Sequence, residues 1–174
     1  MRIDGRYEHF IRIGRGHDIS MSVYLYLMRH GKAEAHTGDD SQRRLTVEGR
    51  ATVGRVAERL AKARIRPDAI EHSGLVRARE TAEIVSDKLG AASEPVAGLL
   101  PSSDVVAAAR RLIARPERSV LVIGHLPFVE RLASHLLISK ADEGLLHLRA
   151  GAVAGLRNDD GRWTLDWFLA PSLT

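Results

Sequence analysis

Hydrophobic and polar positions alternate between two periods along this chain. Residues 23–28, VYLYLM, form an unbroken apolar and aromatic run, the pattern of a strand covered on both faces. A polar stretch follows, KAEAHTGDDSQRR (32–44), and predicts a loop. Thr46 is placed to cap a helix whose inner face is Val53, Val56, Ala57, Leu60 and Ala61. PDAIEHS (67–73) predicts a short strand, and residues 75–89 a second helix on Ala78, Ala82, Val85 and Leu89, with Gly90 as its stop. A weak strand is expected near 94–97, then a helix from Ser103 through Ile113. SVLVIGH (119–125) is the second clear buried strand. Pro127 suits the first turn of a helix with Phe128, Leu132, Ala133, Leu136 and Leu137 inward. Two strand-like runs, 145–156 and 162–169, flank NDDG and predict an antiparallel hairpin.

Strands alternating with helices predict an α/β fold, a three-layer sandwich with a mostly parallel sheet flanked by helices and a C-terminal antiparallel hairpin. In such folds ligands bind at the carboxyl ends of the strands. Three of those ends carry reactive side chains: Arg29-His30-Gly31, His72-Ser73-Gly74 and Gly124-His125.

At 174 residues the chain is long enough for one sizeable core. Residues 1–20 are interrupted by arginines and lack the apolar centre of a signal peptide. They are taken as an N-terminal extension, with Met21 a possible start, and residues 21–174 as a single domain. The absence of cysteine removes disulfides, thiolate metal sites and thiolate nucleophiles. No apolar run reaches the roughly 20 residues of a membrane span. The expectation is a cytoplasmic monomer without membrane or nucleic-acid partners. A net charge of +4 suits an anionic ligand.

Two imidazoles with two or three guanidiniums at one sheet edge make a site for a small, multiply charged oxyanion. Arg77 lies just beyond the His72-Ser73-Gly74 strand end, and Arg43-Arg44 closes the first loop. Guanidiniums grip phosphate oxygens in pairs, and helix N-termini add backbone donors. Gly31 and Gly124 are expected to admit the anion close to the backbone. A zinc site on His30, His72 and His125 is disfavoured by the adjacent arginines. A P-loop would need glycine where Tyr26 stands, and no G-x-S-x-G elbow occurs. A basic nucleic-acid module would interleave aromatics, which are 5 % of the chain. His9, His17, His36, His135 and His147 lack a comparable setting and are taken as surface or core residues.

LMRHGKAE (27–34) resembles the RHG signature of the histidine phosphatase (phosphoglycerate mutase-like) superfamily. SGLVRARETA (73–82) resembles its S-P-x-x-R-A-x-Q-T motif, VIGHLPFV (122–129) its second-histidine motif, and RRLTVEG (43–49) the R-P-L-T-x-x-G segment of small SixA-type phosphohistidine phosphatases. By that resemblance His30 is the phosphorylated nucleophile and His125, in protonated form, its catalytic partner. Arg29, Arg43 and Arg77 bind the phosphoryl group, and no metal or other cofactor takes part. The implied function is a metal-independent phosphatase acting on a phosphohistidine protein. The alternatives are a small-molecule phosphomonoesterase or mutase of the same superfamily, and a non-catalytic phosphate-binding module. Gly74 replaces the usual proline and should alter only the turn. Glu80 for glutamine and Arg44 for proline are expected to be peripheral. Larger relatives carry a glutamate as proton donor where this chain has Gly98. Glu34 and His36 in the first loop are the substitutes to consider.

Overall fold

The computed structural model describes residues 22–35 and 38–173. The expectations for residues 1–20, Met21, His9, His17 and His36 lie outside the described residues. The elements are β1 (Val23–Arg29), α1 (Val47–Lys62), β2 (Ala69–His72), α2 (Val76–Leu89), β3 (Ser93–Pro95), α3 (Val105–Ile113), β4 (Ser119–Gly124), α4 (Phe128–Ile138), β5 (Val153–Asp159) and β6 (Arg162–Leu169). A 3-10 turn at Asp40–Gln42 interrupts the first loop.

The strands form one sheet in the order β3-β2-β4-β1-β5-β6. The first four are mutually parallel, while β5 runs antiparallel to β1 and β6 antiparallel to β5. The period-free apolar runs have a direct cause. In β1, Leu25 and Leu27 face a core with Leu112, Phe128, Leu132 and Ala133 of α3 and α4. Tyr26 and Met28 face the opposite core, with Val53, Val56, Leu60, Ala82 and Val85 of α1 and α2. Since successive side chains point to opposite faces, a strand between two helical layers needs apolar residues at every position. β4 follows the same rule: Val120 and Val122 belong to one core, Leu121 and Ile123 to the other.

Local chemistry sets the helix ends. Thr46 Oγ1 accepts from the Gly49 amide at 2.9 Å, capping α1. Gly90 ends α2 in the left-handed region at φ 71°. The third helix starts at Val105 rather than Ser103, because the Asp104 carboxylate caps the amides of Val106 and Ala107. The weak strand lies at Ser93–Pro95 rather than 94–97. Asp160 and Gly161 both have positive φ, as a tight two-residue hairpin turn requires.

The hairpin differs from expectation at its start. β5 begins at Val153, and residues 145–152 are not strand. Gly151 and Ala152 bond to backbone at the end of β1, and several earlier backbone groups are met by side chains instead of a ladder. Leu145 N donates to Ser134 Oγ, Leu148 N to Glu130 Oε1, and Leu148 O accepts from Arg29 Nη1. Burying Leu148 against the first core needs no strand partner.

Glu71 of β2 is buried, and it is paired with Arg111 and Arg115 at the end of α3. Breaking a buried pair strands its partners' charge and costs about 3–5 kcal/mol. Arg111 is partly exposed and can rehydrate, so Glu71→Ala is expected at the lower end, about 3 kcal/mol, by urea denaturation.

Candidate active site

The parallel pairing of β1 with β4 brings the two histidines together. Arg29 is in register with Gly124, and the His30 amide, one residue on, donates to Gly124 O at 3.0 Å. His30 and His125 leave the sheet side by side, with ring centroids 5.0 Å apart and planes tilted by 52°. Both are buried, as is Arg77 in the first turn of α2. No side chain caps that helix at Leu75.

The His30 ring is held in one tautomer. Its Nδ1 lies 2.7 Å from Gly31 O, an acceptor only, so Nδ1 carries the proton and Nε2 the lone pair. Burial depresses the His30 pKa to about 4, against the opposing hydrogen bond to Gly31, with Arg77, Arg29 and Arg43 adding to the depression. At neutral pH the ring is uncharged. His125 is likewise depressed, to about 3, by burial first and then by His30 and Arg77, with Asp40 opposing. In the free site His125 is therefore neutral; the expectation of a protonated ring concerns the site holding a phosphoryl group.

The three arginines approach these rings from separate elements. Their charges act on His30, and each is anchored at its outer nitrogens. Arg29 Nη1 donates to Leu148 O at 3.1 Å. Arg43 Nη1 donates to Asp40 Oδ1 at 2.9 Å. Arg77 Nη1 donates to the Asp40 carbonyl at 2.7 Å, and its Nη2 to Asp40 Oδ2 at 2.9 Å. Among the described residues, five buried side-chain nitrogens lack a hydrogen-bond partner: Nε of Arg29, Arg43, Arg77 and Arg157, and Nδ1 of His125. Four of these belong to the site. Buried donors without partners are costly, and their concentration here marks a place built to surround an anion. Among the described residues no group of three histidines or carboxylates could hold a metal ion.

Two hydroxyls were not singled out from the sequence. Ser73, at the end of β2, lies 2.5 Å from His125 Nε2. When Ser73 donates, the proton of neutral His125 resides on Nδ1, the nitrogen that has no partner. Thr81 accepts from the Gly31 amide at 3.1 Å and donates to Arg77 O at 2.7 Å, tying the turn after His30 to α2. Both residues stand in the SGLVRARETA segment, and Ser73 also lies at the His72-Ser73-Gly74 strand end. His72 plays a different part: its Nδ1 accepts from the Gly74 amide at 3.1 Å and shapes the turn. Gly74 has φ +84°, closed to proline, and its amide bond is one that proline cannot make.

Other expectations are corrected. Gly31 and Gly124 serve helix packing rather than anion approach. A Cβ on Gly31 would come within 2.6 Å of Val53 Cγ2, and one on Gly124 within 2.7 Å of Val129 Cγ1. Nor are Arg44 and Glu80 peripheral. The buried Glu80 carboxylate accepts from Leu45 N at 2.8 Å and pairs with Arg50 at 2.6 Å and Arg44 at 3.3 Å. The two substitutions are thus partners, an acid replacing an amide where a cation replaces a proline. Gly98 has φ +82° and open space around it, so no acid is supplied there. Glu34 is exposed.

The family model described as histidine phosphatase superfamily (branch 1) matches residues 25–100. An uncharacterised protein of Picosynechococcus sp. is 34 % identical over 143 residues, covering 74 % of this chain and 86 % of that protein. Phosphohistidine phosphatase SixA of Escherichia coli is 30 % identical over 155 residues, covering 86 % of this chain and 94 % of SixA. The solved structure of the protein histidine phosphatase SixA complexed with tungstate superposes with a TM-score of 0.79 at 29 % identity, covering 87 % of this chain and 99 % of that one. Among the described residues, no helix is long and apolar enough to cross a membrane.

Proposed function

The chain belongs to the histidine phosphatase superfamily, and from that premise we propose that it is a metal-independent phosphatase acting on phosphohistidine carried by a protein. The observation that supports this most is the state of His30: buried, neutral, one tautomer, lone pair on Nε2, within the field of three guanidiniums.

In this mechanism His30 Nε2 attacks the phosphorus in line. The bond from phosphorus to the substrate's imidazole nitrogen breaks, and that ring, carrying a proton on its other nitrogen, departs as neutral imidazole with the electron pair. Arg29, Arg43 and Arg77 balance the charge on the transferring oxygens, and the Nδ1–H of His125 donates to one of them. Water then attacks phospho-His30. Its P–N bond breaks, Nε2 recovers its lone pair, and inorganic phosphate leaves with the oxygen and both protons of water, as the dihydrogen anion.

Leaving-group chemistry favours phosphohistidine over esters. An alkoxide is a strong base and needs a placed acid, and Gly98 supplies none. An imidazole departs as a weak base, and its replacement by His30 exchanges one P–N bond for another. General-acid assistance is worth about 10²-fold or more, so kcat/KM on a phosphohistidine protein is expected to exceed that on phosphoserine or sugar-phosphate esters by about 10²-fold. At net charge +4 an acidic protein partner is favoured in encounter. Steady-state assays on both substrate classes test the proposal, and equal values would overturn it.

A further inference from the structure

The first loop places a carboxylate on two of the arginines proposed to hold the phosphoryl group. Asp40 opens the 3-10 turn at Asp40–Gln42, and its side chain is half exposed. Arg77, its main partner, is buried. One carboxylate oxygen takes Arg77 Nη2 at 2.9 Å and the other takes Arg43 Nη1 at 2.9 Å. The Asp40 carbonyl takes Arg77 Nη1 at 2.7 Å. Two oxygens of one anion shared between two guanidiniums is the pattern a phosphoryl group makes with arginines. The Asp40 charge also reaches His125, so the carboxylate lies in the field of the reacting groups.

We propose that Asp40 is a built-in counter-ion that holds Arg77 and Arg43 in the free site and is displaced from Arg77 when a phosphoryl group binds. The inference rests on the phosphatase reading above and adds a control on it. A role for Asp40 as proton donor is the competing idea, and its electrostatics oppose that. Burial alone would raise its pKa, but the hydrogen bond and charge of Arg77, with Arg43, outweigh burial and hold it below the usual carboxylate value. Asp40 is ionised and has no proton to give.

Two consequences follow from competition for the same guanidinium nitrogens. A monoanionic carboxylate ligand gains little by replacing another carboxylate, whereas a phosphoryl dianion brings more charge and a third oxygen. Asp40 thereby selects for dianions. The same competition weakens the hold on inorganic phosphate, the product, because Asp40 returns to Arg77 as phosphate leaves. An affinity that requires a minor state is reduced by the fraction of that state. With Asp40 withdrawn in about one molecule in ten, apparent phosphate affinity is about tenfold weaker than the site's own.

Calorimetric titration of the full chain with inorganic phosphate tests this. Asp40→Asn and Asp40→Ala are expected to bind phosphate about tenfold more tightly than the natural chain, and Arg77→Ala to lose binding. A structure of the natural chain with phosphate bound should show Arg77 Nη2 paired with phosphate and Asp40 out of hydrogen-bonding reach. That observation needs no substitution and stands if a variant fails to fold. If both Asp40 variants bind phosphate no more tightly while Arg77→Ala abolishes binding, the counter-ion role is overturned and the phosphate site stands. A persistent Asp40–Arg77 bond beside bound phosphate would do the same. If neither the natural chain nor the Asp40 variants bind phosphate, both readings fall.

Discussion

His30→Ala is expected to lower kcat by about 10⁴-fold or more and to eliminate any covalently held phosphate. A nucleophile that forms a covalent intermediate cannot be replaced by its neighbours, so its loss leaves only positioning and electrostatics. This site offers no substitute. The chain has no cysteine. His125 has its Nε2 engaged by Ser73, and with its pKa lowered to about 3 by burial it is a weak base for activating that serine. Rapid acid-free quenching of the natural chain with labelled substrate should trap base-stable, acid-labile phosphate on His30. Thermal melting of His30→Ala separates loss of chemistry from loss of fold. The alanine should not unfold the domain, because it removes a desolvated imidazole whose backbone bonds to Gly124 and Gly151 remain. Retention of label in His30→Ala would remove His30 from the role.

The layers of the fold were legible because both of the principal strands are covered twice. VYLYLM and SVLVIG read as strands without alternation, and the side chains of Leu25 to Met28 and Val120 to Ile123 each find one core or the other. The helices were legible through their inner faces and through Thr46 and Gly90. Residues 145–152 misled for a physical reason: Leu148 is apolar because it is buried, yet its amide is bonded to the Glu130 side chain. Apolar pattern reports burial, not which group satisfies the backbone.

The candidate site divides in the same way. Arg29, His30 and His125 were visible because their strands point them at one sheet edge. The pairings of Ser73 and Thr81 were not, since His125 and Gly31 lie 52 and 50 residues away and a hydroxyl carries no pattern of its own. The Glu80–Arg44 pair shows the limit of judging departures one at a time. Each substitution looked incidental alone, and only their 3.3 Å contact relates them. Charge state was the least legible feature. His125 lies next to cations and is buried, and those two facts together keep it neutral.

Arg77→Ala is expected to lower kcat/KM by about 10³-fold, the upper range for removing one preorganised donor to a developing anion, and to move the acid limb of the pH profile upward. In the proposed mechanism Arg77 acts on the reaction twice. Its guanidinium would meet the phosphoryl oxygens directly, and it is one of the charges that keep His30 unprotonated. With a pKa of about 4, about nine-tenths of His30 is neutral at pH 5, against about 3 % for a histidine at the ordinary value of about 6.5. The natural chain should therefore form its phosphoryl intermediate at nearly full rate at pH 5. Burial is the larger cause of the depression, and removing the Arg77 side chain both withdraws a positive charge and admits water. Both changes raise the His30 pKa. Stability constrains the measurement, and its sign is set by the same groups. His30 and His125 have folded pKa values below the unfolded value, so the folded chain binds fewer protons. Their contribution is intact above about pH 6.5 and is lost as pH falls through 4 and 3. Single-turnover rates after brief pH jumps keep the assay ahead of unfolding. Arg77→Lys should restore little, because an ammonium cannot reproduce the planar fork. An Arg77→Ala rate within about threefold of the natural chain, far inside the loss expected for such a donor, would remove Arg77 from phosphoryl binding. A full loss of rate with an unmoved acid limb would leave it a binding group without influence on the charge of His30.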